Sequence, residues 1–215
     1  MMTTDELYQL LYHHMGPQGW WPADNDIEMM IGAILVQNTN WNNVVRSLDN
    51  IKKATAFKHE ALAKLSADEV ETLIRPSGYH KSKAKAIATV LAWLGLHDFN
   101  YDMISEKFGP DLRAELLKLH GIGPETADVL LVYLFGRIEF IPDSYTRRLY
   151  RNLGYSNTEN YNKFKKEIAL PDHFTNEDAK EFHGLLDEFG KTYLSSRKES
   201  SHHFLSPYFV PIQSK

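Results

Sequence analysis

The chain has 215 residues, 43% of them hydrophobic, with a formal charge of −4 and no cysteine. That length and composition suit one or two domains with a substantial core, and they exclude disulfides, thiolate catalysis and cysteine-held clusters. No apolar run reaches the roughly 18 residues a membrane span needs, and residues 1–14 carry acids but no basic n-region, so no signal peptide is expected and the cytoplasm is the expected location.

The charge is uneven. Residues 1–75 carry 6 bases and 10 acids, whereas residues 76–215 carry 18 of each. Net acidity argues against bulk attraction to a polyanion. Two local basic clusters qualify this: Lys81, Lys83 and Lys85, and the stretch 143–166, where Arg147, Arg148, Arg151, Lys163, Lys165 and Lys166 outnumber Asp143 and Glu159. Each reads either as a solvated helix face or as a patch for an anionic partner.

In chain order, residues 5–15 read as a helix, with Leu7, Leu10, Leu11 and His14 at helical spacing. Gly16-Pro17-Gln18-Gly19 is a turn, and the aromatic pair Trp20-Trp21 follows. Asp26 suits the N-cap of a helix over 27–36, whose inner face is Met30, Ile31, Ile34 and Leu35. Gln37-Asn38-Thr39-Asn40 interrupts the apolar pattern before a helix over 41–51, with Val44, Val45 and Leu48 inward. Short helices are expected over 59–65 and 67–73, a break at 76–79, and a longer helix over 82–94. Helices over 101–107 and 110–119 lead to Gly121-Ile122-Gly123. A helix over 124–135 is ended by Gly136, and others follow over 144–153, 161–168 and 176–193. Residues 196–215 read as an irregular tail, with Pro207 and Pro211 against helix. No strand-like alternation persists, so the expected fold is all-α with about ten helices.

The segment Leu119-His120-Gly121-Ile122-Gly123-Pro124-Glu125-Thr126-Ala127 is the most informative. Two glycines flanking one apolar residue permit a tight turn through positive φ, and Pro124 suits the first helical position. Ile122 would point inward and anchor the turn. The turn's N–H groups and the following helix N-terminus make an anion site to which a DNA phosphate would fit. On local sequence alone an ordinary corner between helices is the plainer reading. Likewise Asp143, between Pro142 and Ser144, reads as an N-cap or as a reactive carboxylate.

This segment, with Asp143 some twenty residues on, resembles the helix-hairpin-helix and Gly/Pro-Asp signature of the endonuclease III superfamily of DNA glycosylases, L-x-G-[IV]-G-x-x-[ST]-A and then apolar-x-Asp. The resemblance extends to IGAILVQNT at 31–39, RPSGYHKSKAKAI at 75–87 and FHGLLDEFGKTY at 182–193, and covers most of 20–194. With Trp20-Trp21-Pro22 it is closest to the 3-methyladenine glycosylase branch. It implies two helical lobes with a cleft between them: a contiguous one over 22–135 holding the hairpin, and a second built from 1–21 and 136–195.

The resemblance also implies roles. Asp143 would be catalytic, stabilising an oxocarbenium-like sugar or orienting water. Gln37 would enter the space left by a flipped-out nucleotide. Gly121, Ile122, Gly123, Lys81 and Arg147 would contact DNA, and Trp20, Trp21, Trp41, Glu125 and Lys191 would line the base pocket, where aromatic walls favour a cationic alkylated base. Glu125 stands where bifunctional relatives carry the Schiff-base lysine. A carboxylate cannot form that adduct, so hydrolysis to an abasic site without strand cleavage is expected; a favourable first-turn charge is the plainer account of Glu125. The relatives' cluster-ligand spacing falls on Leu194, Ser201, Phe204 and Val210, so no iron–sulfur cluster and no metal site are expected, although a monovalent cation on hairpin carbonyls is compatible. The expected partner is duplex DNA containing a damaged base, bound by a monomer. The alternatives are an enzyme of the same fold for oxidised or mismatched bases, and a non-catalytic damage-binding module that would need Gly121 and Gly123 but not Asp143.

Overall fold

The structure, a computed structural model, describes residues 2–195 and 203–210. Among these residues it is all-helical, without a strand. In chain order the helices are α1 (Thr4–Met15), α2 (Asp26–Leu35), α3 (Trp41–Thr55), α4 (His59–Leu62), α5 (Ala67–Leu73), α6 (His80–Gly95), α7 (Tyr101–Phe108), α8 (Leu112–Leu117), α9 (Pro124–Tyr133), α10 (Ser144–Asn152), α11 (Tyr161–Glu167) and α12 (Asn176–Tyr193). The chain divides into two compact units, one of Met1–Trp21 with Gly136–Lys215, the other of Pro22–Phe135. Among the described residues no helix is long and apolar enough to cross a membrane.

The contiguous unit is organised on α2, which packs against α3, α6 and α9. Every α2 residue but Asp26 and Glu28 is buried, the pattern of a helix enclosed on nearly all sides. Asn25, not Asp26, is its N-cap, accepting the Glu28 N–H at 3.0 Å; Asp26 instead places a charge in the first turn, where the helix dipole favours it. The helix expected over 41–51 continues to Thr55, with Lys52 and Lys53 in its last turn. Val45, expected inward, is exposed.

The discontinuous unit closes α1 and α10 on α12. Its core is aromatic, with Tyr8, Phe140, Tyr150, Phe164, Phe174, Phe182 and Phe189 buried together. Gly190 lets α10 approach closely: a Cβ there would stand 2.3 Å from the Cβ of Tyr145. The described part of the tail departs from the irregular segment expected. Ser206–Tyr208 forms a 3-10 turn, Leu205 is fully buried, and the Val210 N–H donates to the Asn152 carbonyl at 2.8 Å. Apolar side chains account for this anchoring, because Phe204 and Phe209 pack against the same core. Of the four cluster-ligand positions, Leu194 is buried in that core and Phe204 packs against it, while Ser201 lies outside the described residues.

Candidate functional site

In the contiguous unit the hairpin joins α8 to α9. Gly121 has φ +79°, and a Cβ there would lie 2.6 Å from the Cβ of Ala86 on α6, so both conformation and space require glycine. Gly123 differs from the two-glycine expectation: its φ is −87°, a Cβ would meet nothing within 4 Å, and it is exposed. The Ile122 side chain is buried, so this residue can offer only backbone to a partner. No side chain caps α9, which leaves its N-terminus suited to an anion. A bidentate pair braces the two helices, Arg113 Nε and Nη2 donating to Asp128 at 2.7 and 3.1 Å, with Asp128 fully buried.

The turn carrying Gln37 is tied to the hairpin. Gln37 Nε2 donates to Glu125 Oε1 at 3.3 Å. Lys83 Nζ donates to the Leu35 carbonyl at 2.9 Å and the Ser77 carbonyl at 2.7 Å, closing the C-terminus of α2 just before that turn. Lys83 is thus buried rather than part of a surface patch, and burial lowers its pKa. Lys81 and Lys85 are exposed. Beside them Tyr79 is 70% exposed with φ +47°, a backbone region that bulky residues rarely occupy. Trp41 opens α3 and is half-buried.

In the discontinuous unit Asp143 is the N-cap of α10, Oδ1 accepting the Thr146 N–H at 2.7 Å. Its Oδ2 lies 3.7 Å from His183 Nε2, and both residues are buried. Burial would raise the Asp143 pKa, but His183 and the Thr146 N–H together outweigh it and hold the carboxyl below its ordinary value. Asp187, one turn beyond His183 on α12, is pushed the other way, up to about 6, by burial and by the Asp143 charge, with Lys191 and His183 opposing. Lys191 pairs with Asp187 and, at 3.0 Å, with Glu188, and its Nζ sits 4.8 Å from the centroid of the Trp20 ring. Trp20 is edge-on to Trp21 at 5.1 Å and to His183 at 5.6 Å. A Cβ on Gly184 would stand 2.8 Å from the Cβ of Trp20, so this glycine makes room for the indole.

Asp143, Trp20, Trp21 and Lys191 therefore belong to one connected cluster, and Gln37, Glu125 and the hairpin to another. Arg147, expected on DNA, turns inward: Nε donates to the Pro142 carbonyl at 3.1 Å and Nη1 to the Glu159 carbonyl at 3.0 Å, which fixes the loop carrying Asp143. Sequence reasoning missed His183, Asp187 and the Arg113–Asp128 pair, and placed Lys83 on the surface. One signal was legible: His183, Asp187 and Lys191 recur every four residues along α12.

Compared with known proteins, residues 31–171 match the family model described as HhH-GPD superfamily base excision DNA repair protein. A Methanocaldococcus jannaschii protein named as a DNA repair glycosylase is 36% identical over 196 residues, covering 87% of each chain. Endonuclease III of Sulfolobus acidocaldarius is 27% identical over 175 residues, 81% of this chain and 76% of that one. Among solved structures, the 3-methyladenine DNA glycosylase of H. pylori bound to 1,N6-ethenoadenine aligns with TM-score 0.72 and 27% identity over 90% of this chain and 99% of the other. An endonuclease III–DNA complex shares the fold with TM-score 0.71, at 21% identity, over 92% of this chain and 90% of the other.

Proposed function

This chain belongs to the HhH-GPD superfamily of base excision DNA repair proteins, and from that premise we propose that it is a monofunctional DNA N-glycosylase that releases an alkylated base of the 3-methyladenine type. The observation that carries the proposal is Asp143: a buried carboxylate held below its ordinary pKa, with one oxygen fixed by the Thr146 N–H. A carboxylate so held stabilises positive charge developing at C1′ and orients the attacking water. The C1′–N bond breaks with its electron pair leaving on the base, which departs neutral from a cationic nucleotide; the water oxygen bonds to C1′, and the proton it loses passes to the Asp143 carboxylate and on to solvent. At Glu125 no amine is available for a Schiff base, so the product is an abasic site in an uncut strand.

Trp20, Trp21 and Lys191 share the unit of Asp143 and are assigned to the surroundings of the flipped base. The ammonium of Lys191 already faces Trp20, so Trp21 is the aromatic of this pair better suited to a cationic base. Gln37, Lys81, Tyr79 and the backbone of Gly121, Ile122 and Gly123 are assigned to the duplex. Glu125 orients Gln37, and Trp41 begins the helix after the Gln37 turn. The duplex is bound by a monomer, without an iron–sulfur cluster: the residues at the ligand spacing do not fit one, since Leu194 and Phe204 are apolar and belong to the packed interior.

The test is base-release chromatography on methylated duplex DNA. Wild type should liberate 3-methyladenine, leave strands that break only on alkaline treatment, and give no borohydride-trapped adduct. Asp143→Asn should slow release by about 10²-fold or more while still binding the duplex. Spontaneous nicking with a trapped adduct would overturn the monofunctional assignment, and release of oxidised pyrimidines alone would favour an endonuclease III-type substrate range.

A further inference from the structure

Behind Asp143 lies a row of polar side chains of which the proposed function uses only Lys191. His183, Asp187 and Lys191 lie on one face of α12. His183 is buried and directs Nε2 at the Asp143 oxygen that Thr146 does not hold, 3.7 Å away. That separation is longer than a hydrogen bond, and contacts of this kind commonly tighten when substrate is bound. The imidazole has little freedom to turn away, because Trp20 stands edge-on to it and is itself seated against Gly184. Other charged groups around this carboxylate are Asp187 and Lys191 on α12 and the Arg147 guanidinium, which is bound to the Pro142 carbonyl.

We infer that His183 is a positioning residue for Asp143, aiming the second carboxylate oxygen and keeping it ionised, with Trp20 holding the imidazole in place. The inference rests on the proposal that Asp143 carries the chemistry. With the imidazole gone, the largest opposition to burial is lost and Thr146 remains, so the Asp143 carboxyl takes up its proton at higher pH.

Two variants separate the contributions. His183→Phe keeps a ring against Trp20 and removes the donor, whereas His183→Gln keeps a donor without the ring. Three quantities are measured on the full chain: the Asp143 carboxyl titration by carbon-13 NMR, single-turnover base release against pH, and affinity for a duplex containing a tetrahydrofuran abasic-site analogue. In His183→Phe the Asp143 titration and the acidic limb of release should both move to higher pH. Release at neutral pH should fall by about tenfold to a hundredfold, and duplex affinity should hold. His183→Gln should lie between the two; it supplies the same reading should the Phe variant not fold. An unmoved titration and limb in an active protein would overturn the positioning role. A titration that moves in the variants while the wild type itself releases no base would uphold the contact and overturn the reaction instead.

Discussion

Asp143 and Asp187 share one buried surrounding and respond to it oppositely. Asp143 has a backbone N–H on one oxygen and an imidazole before the other, so its charged form is favoured despite burial. Asp187 has burial and the Asp143 charge against it, and Lys191 only partly compensates. Such divergence within a carboxylate pair separates a group charged at neutral pH from one that titrates near neutrality. The consequences for stability have opposite signs. Asp143 contributes stability that is present above the unfolded value and lost as pH falls below 3.8 through its lowered folded value. Asp187 binds a proton more tightly in the folded state, so its contribution is complete below 3.8 and is lost as pH rises through about 6. Asp187→Asn should therefore gain on wild type in unfolding free energy between pH 4 and 6 and keep a constant difference above, as measured by denaturant titration at each pH. A difference that does not vary with pH would show that Asp187 has no shifted proton. At this scale Asp143 was legible from a Pro-Asp-Ser start to a helix, but its environment was not, because His183 and Asp187 come from a distant part of the chain.

Among the elements, the hairpin separates two glycines that the sequence presents as equivalent. Gly121 needs the left-handed region and contact with Ala86, whereas Gly123 needs neither. Gly121→Ala should cost roughly 2–5 kcal/mol, combining αL strain with overpacking. Gly123→Ala should leave stability within about 0.5 kcal/mol yet weaken duplex binding, because the methyl group would stand on the exposed backbone that the proposed function assigns to phosphate. Thermal unfolding with binding isotherms on both variants checks this; equal loss of stability in the two would refute the distinction. Lys83 adds a second case. Its place among three alternating lysines suggested an exposed cluster, but α6 lies against the end of α2, and the ammonium reaches the carbonyls of Leu35 and Ser77. A lysine in that setting supports the Gln37 turn from within.

Taken over the whole molecule, charge bears on how DNA could be held. The net charge is −4, and much of the basic stretch 143–166 is engaged internally. Arg147 and Arg148 donate to backbone carbonyls, Arg151 pairs with Glu159 at 2.8 Å, and Lys165 with Glu139 at 2.6 Å. Phosphate contacts should then be few, made by the hairpin backbone and by side chains such as Lys81. The slope of log affinity against log salt should be shallow, near −2 to −4 for two to four neutralised phosphates, and Lys81→Ala should reduce it by about 1. Fluorescence anisotropy over a salt series measures both, and a steep slope unaffected by Lys81→Ala would place the contacts elsewhere.

By itself the sequence determined the helical class, most helix positions to within a turn, the hairpin with an acid some twenty residues on, and a glutamate at 125. Those features are written in residue types over a few turns of chain, through apolar spacing, caps and chain-breaking residues. Only the tertiary structure decided that Gly121 and not Gly123 is sterically required, that Lys83 is interior, that Arg147 braces a loop, and that an imidazole faces Asp143. Each of those depends on burial and on fields from atoms far away in sequence, and neither can be read from spacing along one strand of chain.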